Sequence, residues 1–171
     1  MTSPSPKARS PLFRDTALRK GISFGLTSAV ITTLGLMVGL HSGTHSRVVV
    51  LGGILTIAIA DAFSDALGIH VSEEADHTRT TRQVWAATLA TFLAKFLFGM
   101  SFAVPVLLLP LISAIIASLA WGMLILALLS YHIAREQNEP PWLIIGEHVG
   151  IAAVVIGVTH WVGHWIATLA E

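Results

Sequence analysis

Between Val84 and His132 the chain runs for 49 residues with Lys95 as its only Lys, Arg, Asp or Glu. As one helix this stretch would be about 73 Å long at about 1.5 Å per residue, against a bilayer hydrocarbon core of about 30 Å. The segment is therefore expected to cross a membrane twice. Pro105 and Pro110 mark the turn, with one span ending near Val104 and the next starting near Leu111.

The rest of the chain reads the same way. Apolar residues make up 54% and charged residues 12%, and the mean hydropathy is +0.75, which places the chain in the multi-pass membrane class. Spans are expected at about residues 22–40, 48–70, 84–104, 111–132 and 142–169. The polar HSGTHSR closes the first span and AREQNEPP closes the fourth, while Trp161 and Trp165 are placed as interfacial anchors of the last. Residues 1–20 contain Pro4, Pro6 and Pro11 and read as a basic cytoplasmic tail, not a signal peptide. The end of that tail, from Arg14 to Lys20, is expected to lie along the membrane surface. Residues 21–171 form the transmembrane domain.

Orientation follows from the positive-inside rule. Lys7, Arg9, Arg14, Arg19 and Lys20 in the tail, Arg79 and Arg82 in the second loop and Arg135 in the fourth lie on one side, against Arg47 on the other. The expected fold class is all-α: a polytopic protein of five transmembrane helices, N-terminus cytoplasmic and C-terminus outside, in a prokaryotic plasma membrane.

Several function classes drop out. The formal net charge is zero, so nothing suggests a nucleic-acid partner, and the absence of Cys removes disulfides, thiolate metal sites and thiol catalysis. The chain contains no Gly-rich phosphate loop, nucleophile elbow or dinucleotide fingerprint. His160 and His164 are spaced to hold a metal from one helix face, but HWVGH lacks the Glu of a zinc protease. No enzymatic activity and no resident cofactor are expected.

Small residues form stripes. Gly21, Gly25, Ser28, Thr32, Gly35 and Gly39 make one face of span one, with two GxxxG pairs; Gly146, Gly150, Ala153 and Gly157 repeat the device in span five. Such faces let membrane helices approach closely, either inside one bundle or, on span one, as a homodimer seam.

The charges inside the spans carry the chemistry. A carboxylate at the centre of a spanning helix costs roughly 2.5–3.5 kcal/mol on insertion scales. Asp61 and Asp65 stand a turn apart on one face of span two, and Lys95 in span three reaches a depth similar to that of Asp61. An Asp61–Lys95 pair would neutralise two of these charges and leave Asp65 for a proton or a hard divalent cation. Glu73, Glu74, His77 and Glu147 collect at the cytoplasmic ends, where an acidic mouth would concentrate divalent cations.

Several of these segments resemble the vacuolar iron transporter family, five-span exporters of ferrous iron and manganese. Arg14 and Asp15 followed by GISFGL are similar to the family's first-span RD…GANDGL, and FSDALGIHVS to its second-span xSMAxGEYVS. FAVPVLLLP resembles its Pro-rich turn, and GEHVGIAAVVIGVTHWVGHWI its last span, Glu147 included. The resemblance implies a homodimer, a metal path near the dimer axis lined by spans one and two, and exchange of metal for protons. There are departures: Phe24 stands at the family's first-span Asp, Asp65 at its second-span Met and Ile69 at the Glu of GEY, and the long Glu-rich cytoplasmic insertion is replaced by residues 72–83. A carboxylate in place of a thioether hardens the site towards manganese, magnesium or protons.

The expectation is thus a transporter exporting a divalent metal, iron or manganese, in exchange for protons. Asp61 and Asp65 bind the cargo, Glu147, Glu73, Glu74 and His77 form the entrance, and Lys95 is the internal counter-ion. Two alternatives are a non-transporting scaffold of the same fold and a haem protein using His70, His132, His160 and His164. Haem needs ligands at matching depth on facing helices; His70 and His132 end at the cytoplasmic face while His160 and His164 lie outside, so cross-membrane pairs fail.

Overall fold

The computed structural model describes residues 16–169, and within them every regular element is helical. Six helices follow one another: α1 (Thr16–Thr44), α2 (Arg47–Glu74), α3 (Thr81–Ser101), α4 (Ala103–Leu108), α5 (Leu111–Gln137) and α6 (Pro141–Leu169). α4 is a one-turn continuation of α3, so that five helical segments of 27–29 residues are long and apolar enough to cross a bilayer. Their outward faces carry Leu93, Leu97, Ile112, Ile116, Leu128 and Val154, each more than half exposed. Water would not tolerate so broad an apolar surface, whereas lipid matches it. The molecule is built as an integral multi-pass membrane protein.

The helix ends follow local chemistry. Ser46 caps α2 by accepting from the Val49 N–H at 3.4 Å. Thr80 and Gln83 form a reciprocal capping box at the start of α3, the pattern that satisfies two otherwise orphaned donors. Asn138 ends α5 in the left-handed conformation at φ 57°. Pro105, placed as a turn residue by the sequence, instead lies in the first turn of α4, where a missing N–H costs no hydrogen bond; Leu109 and Pro110 make the reversal. Of the segment expected along the membrane surface, Thr16 to Lys20 form the opening turns of α1; Arg14 and the rest of the tail lie outside the described residues.

α1 sits at the centre, because its small residues let two neighbours reach its backbone. A Cβ on Gly25 would stand 2.7 Å from the Thr91 carbonyl oxygen of α3, and one on Gly39 would stand 3.2 Å from the Thr159 oxygen of α6. Thr91 is fully buried, and its hydroxyl donates to Ala87 O at 2.9 Å and across the interface to Gly21 O at 3.3 Å. Of the two uses expected of this stripe, the structure shows packing inside the bundle: Gly21 and Gly25 meet α3, and Gly35 and Gly39 meet α6. An added Cβ would meet nothing within 4 Å at Gly146, Gly150 and Gly157 of α6, nor at Gly52 and Gly68 of α2.

α2 lays a stripe of Val50, Ile54, Ala58, Ala62, Ala66, Ile69 and Glu73 against α1 and α3. The apolar core gathers where α1, α2, α4 and α5 meet, around Leu34, Met37, Ile54, Leu126 and a fully buried Phe102 at the α3–α4 break. Further along α2, α1, α2 and α3 bring a charged cluster together.

Candidate ion site between three helices

Asp61 and Asp65 project from one face of α2 towards α3, and Lys95 answers both. Its ammonium lies 2.5 Å from Asp61 Oδ2, pairs with Asp65 Oδ2 and donates to Ser28 Oγ of α1 at 2.7 Å. Ser28 in turn donates its hydroxyl proton to Asp65 Oδ2 at 2.7 Å. The Lys95 side chain is 3% exposed, whereas those of Asp61 and Asp65 are 22% and 20% exposed, so the carboxylates open to one flank of the bundle.

The two carboxylates are held unequally. Asp65 shares a closed ring of contacts with Ser28 and Lys95. Asp61 Oδ2 is within ion-pair distance of the ammonium yet off the angle for a hydrogen bond, and it is buried without another partner among the described residues. Asp61 thus lacks the hydroxyl contact that Asp65 receives from Ser28. With both carboxylates ionised the cluster carries one negative charge in excess of its lysine.

Sequence spacing placed Asp61, Asp65 and Lys95 together but left Asp65 without a cation. Lys95 serves both, because a turn of helix separates carboxylates by about 5.4 Å along the axis, within the span of one ammonium. Ser28 was legible only as a member of the small-residue face. Phe24, one turn before Ser28, is 43% exposed, so it lies on the flank and does not fill the core.

The expected entrance residues are not gathered. Glu73 is 1% exposed and fixed between Lys20 Nζ at 2.6 Å and Arg79 Nε at 3.1 Å, which ties α1, α2 and the α2–α3 loop. Glu74 is exposed, 4.0 Å from His70 Nε2, and His77 is exposed in the loop. Glu147 is exposed on α6, without an ion pair or hydrogen bond among the described residues, while its neighbour His148 meets Ser130 Oγ at 2.7 Å. Among the described residues no three His, Asp or Glu side chains are arranged to hold a metal ion. In the loop, Asp76 accepts from the Thr78 hydroxyl and N–H, which, with Arg79 nearby, hold its carboxyl below the ordinary value of 3.8 against a small opposing desolvation.

The histidines fall into two groups at opposite ends of the bundle. His70, bonded to Thr88 at 2.9 Å, and His132, 3.4 Å from Glu136, share the end that carries Lys20 and Arg79. His160 lies at the other end, where its Nδ1 meets Ser42 Oγ of α1 at 2.5 Å. That separation leaves the four haem candidates divided as their sequence positions require. No protein-family model and no curated protein matches the chain.

Proposed function

We propose that this protein exports a divalent metal, iron or manganese, from the cytoplasm in exchange for protons. The observation that carries the reading is a charged cluster of two carboxylates, a hydroxyl and one lysine within membrane-spanning helices, open on one flank. Intramembrane ionisable groups mark ion and proton paths, and they are costly to keep for packing alone.

The chemistry follows from the ligands. Asp61, Asp65 and Ser28 offer oxygen donors, which suit hard divalent cations. An arriving cation competes with the Lys95 ammonium for the same carboxylate oxygens. When the cation leaves, the ammonium or protons return, so metal and proton occupy the site alternately. The positive-inside count puts the Lys20–Arg79 end in the cytoplasm. Glu74, His77 and Glu147 then supply negative charge or ligands at the cytoplasmic mouth, while Glu73 braces it. The metal is cargo, so no resident cofactor is required. A homodimer belongs to the reading, as the resemblance implies. The resemblance to the vacuolar iron transporters points in the same direction, and the reading places the protein in a prokaryotic plasma membrane.

The second reading, a non-transporting scaffold, is favoured by one observation: Lys95 already partners both carboxylates. Proteoliposomes loaded with a metal-sensitive dye separate the two. With a proton gradient imposed, the exporter admits ferrous iron or manganese, and Asp65→Asn stops it. No uptake of either ion, or uptake unchanged by Asp65→Asn, leaves the scaffold.

A further inference from the structure

Where α1 begins and α5 ends, at the end of the bundle that carries Lys20 and Arg79, the two helices flank a cleft of about 410 Å³. Its mouth is charged: Arg19 and Lys20 come from the opening turns of α1, and Glu136 from the last turn of α5. Deeper in, the walls are hydrocarbon, with Ile22 on α1 and Ile133 and Leu129 on α5. From Glu136 to Leu129 is about 10 Å along the helix at about 1.5 Å per residue.

Depth in the membrane gives this gradient a meaning. The spanning helices, 27–29 residues each, are about 40–44 Å long, which matches a bilayer counted to its headgroups and not its hydrocarbon alone. Their end turns therefore lie among lipid phosphates, and the cleft passes from that level towards the acyl chains.

The charges at the mouth do not cancel. Arg19 pairs with Glu136, whose other oxygen lies 3.4 Å from His132 Nε2. Lys20 reaches Glu73 at 2.6 Å, but Glu73 is shared with Arg79 at 3.1 Å. Among the residues that line the cleft, two cations thus meet one carboxylate, a positive excess even with His132 neutral. The Arg19 and Lys20 side chains stay 43% and 54% exposed, and a guanidinium and an ammonium both keep donors beyond a single ion pair. A pair as open as Arg19–Glu136 adds little to stability, in contrast to the buried Glu73.

We infer that this cleft binds an anionic phospholipid, with the phosphate between Arg19 and Lys20 and the start of an acyl chain along Ile22, Ile133 and Leu129. Basic pockets between membrane helices take such headgroups. A zwitterionic lipid matches the apolar wall but not the positive excess, and free phosphate matches the charge but leaves the wall uncovered. Glu136 competes with the phosphate for Arg19 and so sets the affinity. In the orientation proposed above the cleft meets the cytoplasmic leaflet, where anionic lipid gathers. The site stands apart from metal export and uses neither Asp61 nor Asp65.

The test counts lipid bound to the purified full chain in detergent by native mass spectrometry. Phosphatidylglycerol, phosphatidylcholine and inorganic phosphate are the probes. The expected result is one saturable phosphatidylglycerol per chain, retained in excess inorganic phosphate and not matched by phosphatidylcholine. Arg19→Gln and Lys20→Gln should each weaken binding by about fivefold, the weight of one basic residue at an anionic lipid surface, while Arg19→Lys keeps most of it. Glu136→Gln breaks the same ion pair as Arg19→Gln yet should tighten binding, a change of sign that a purely structural pair does not produce. Equal binding of phosphatidylcholine, displacement by inorganic phosphate, Arg19→Gln and Lys20→Gln binding like the parent, or Glu136→Gln weakened alongside Arg19→Gln would each overturn the site.

Discussion

Lys95→Met removes the one cation from a cluster that holds two carboxylates. The Lys95 side chain is almost wholly buried and contacts Asp61, Asp65 and Ser28, so methionine fills similar volume while leaving both acids without a counter-charge. Truncating one partner of a buried pair costs about 3–5 kcal/mol, and the carboxylates here are one-fifth exposed, which lowers the expected loss to about 3 kcal/mol. For a chain of this size that is a fall in Tm of about 6–12 °C. Unfolding is followed in detergent by tryptophan fluorescence, using the five Trp residues. The triple variant Lys95→Met, Asp61→Asn, Asp65→Asn removes all three charges and is expected within about 1 kcal/mol of the parent, because the uncompensated acids and not the missing contact cause the loss. A single variant as stable as the parent, or a triple variant no better than the single, refutes the electrostatic account of this cluster.

Glu73→Gln should loosen the brace between Lys20 and Arg79 by about 1–3 kcal/mol, read as faster tryptic cleavage after Arg79. Gly25→Ala places a methyl against the Thr91 carbonyl and should cost about 1–3 kcal/mol, whereas Gly150→Ala meets open space and should be neutral or stabilising by up to about 1 kcal/mol; comparative thermal unfolding checks the contrast. The lowered Asp76 value means that its tie to Thr78 is whole above pH 3.8 and lost as pH falls through the depressed folded value. Amide exchange at Thr78 should therefore rise only in that acid window, and Asp76→Asn should flatten the change.

The spans were legible because five apolar runs are separated by polar gaps, and hydropathy alone counts them. Their ends were less so: α1 begins at Thr16 and α5 continues to Gln137, since Lys20, Arg135 and their neighbours are good helix formers that hydropathy scores as loop. The Asp61–Asp65–Lys95 grouping was legible from depth and periodicity. The choice of partner was not, because counting residues places a lysine only to within a turn. The destination of the α1 glycines was ambiguous for a physical reason: a small face suits a neighbour in the same chain or a second copy equally well.

The central claim is that Asp61 and Asp65 exchange a divalent metal for protons. Its most direct test follows metal and proton together, with an internal metal dye and an internal pH dye in the same proteoliposomes. The account predicts that manganese or ferrous iron entering the lumen drives protons out in fixed proportion, and that Asp65→Asn abolishes both signals. Metal movement without a proton signal, or paired signals that persist in Asp65→Asn, would contradict it.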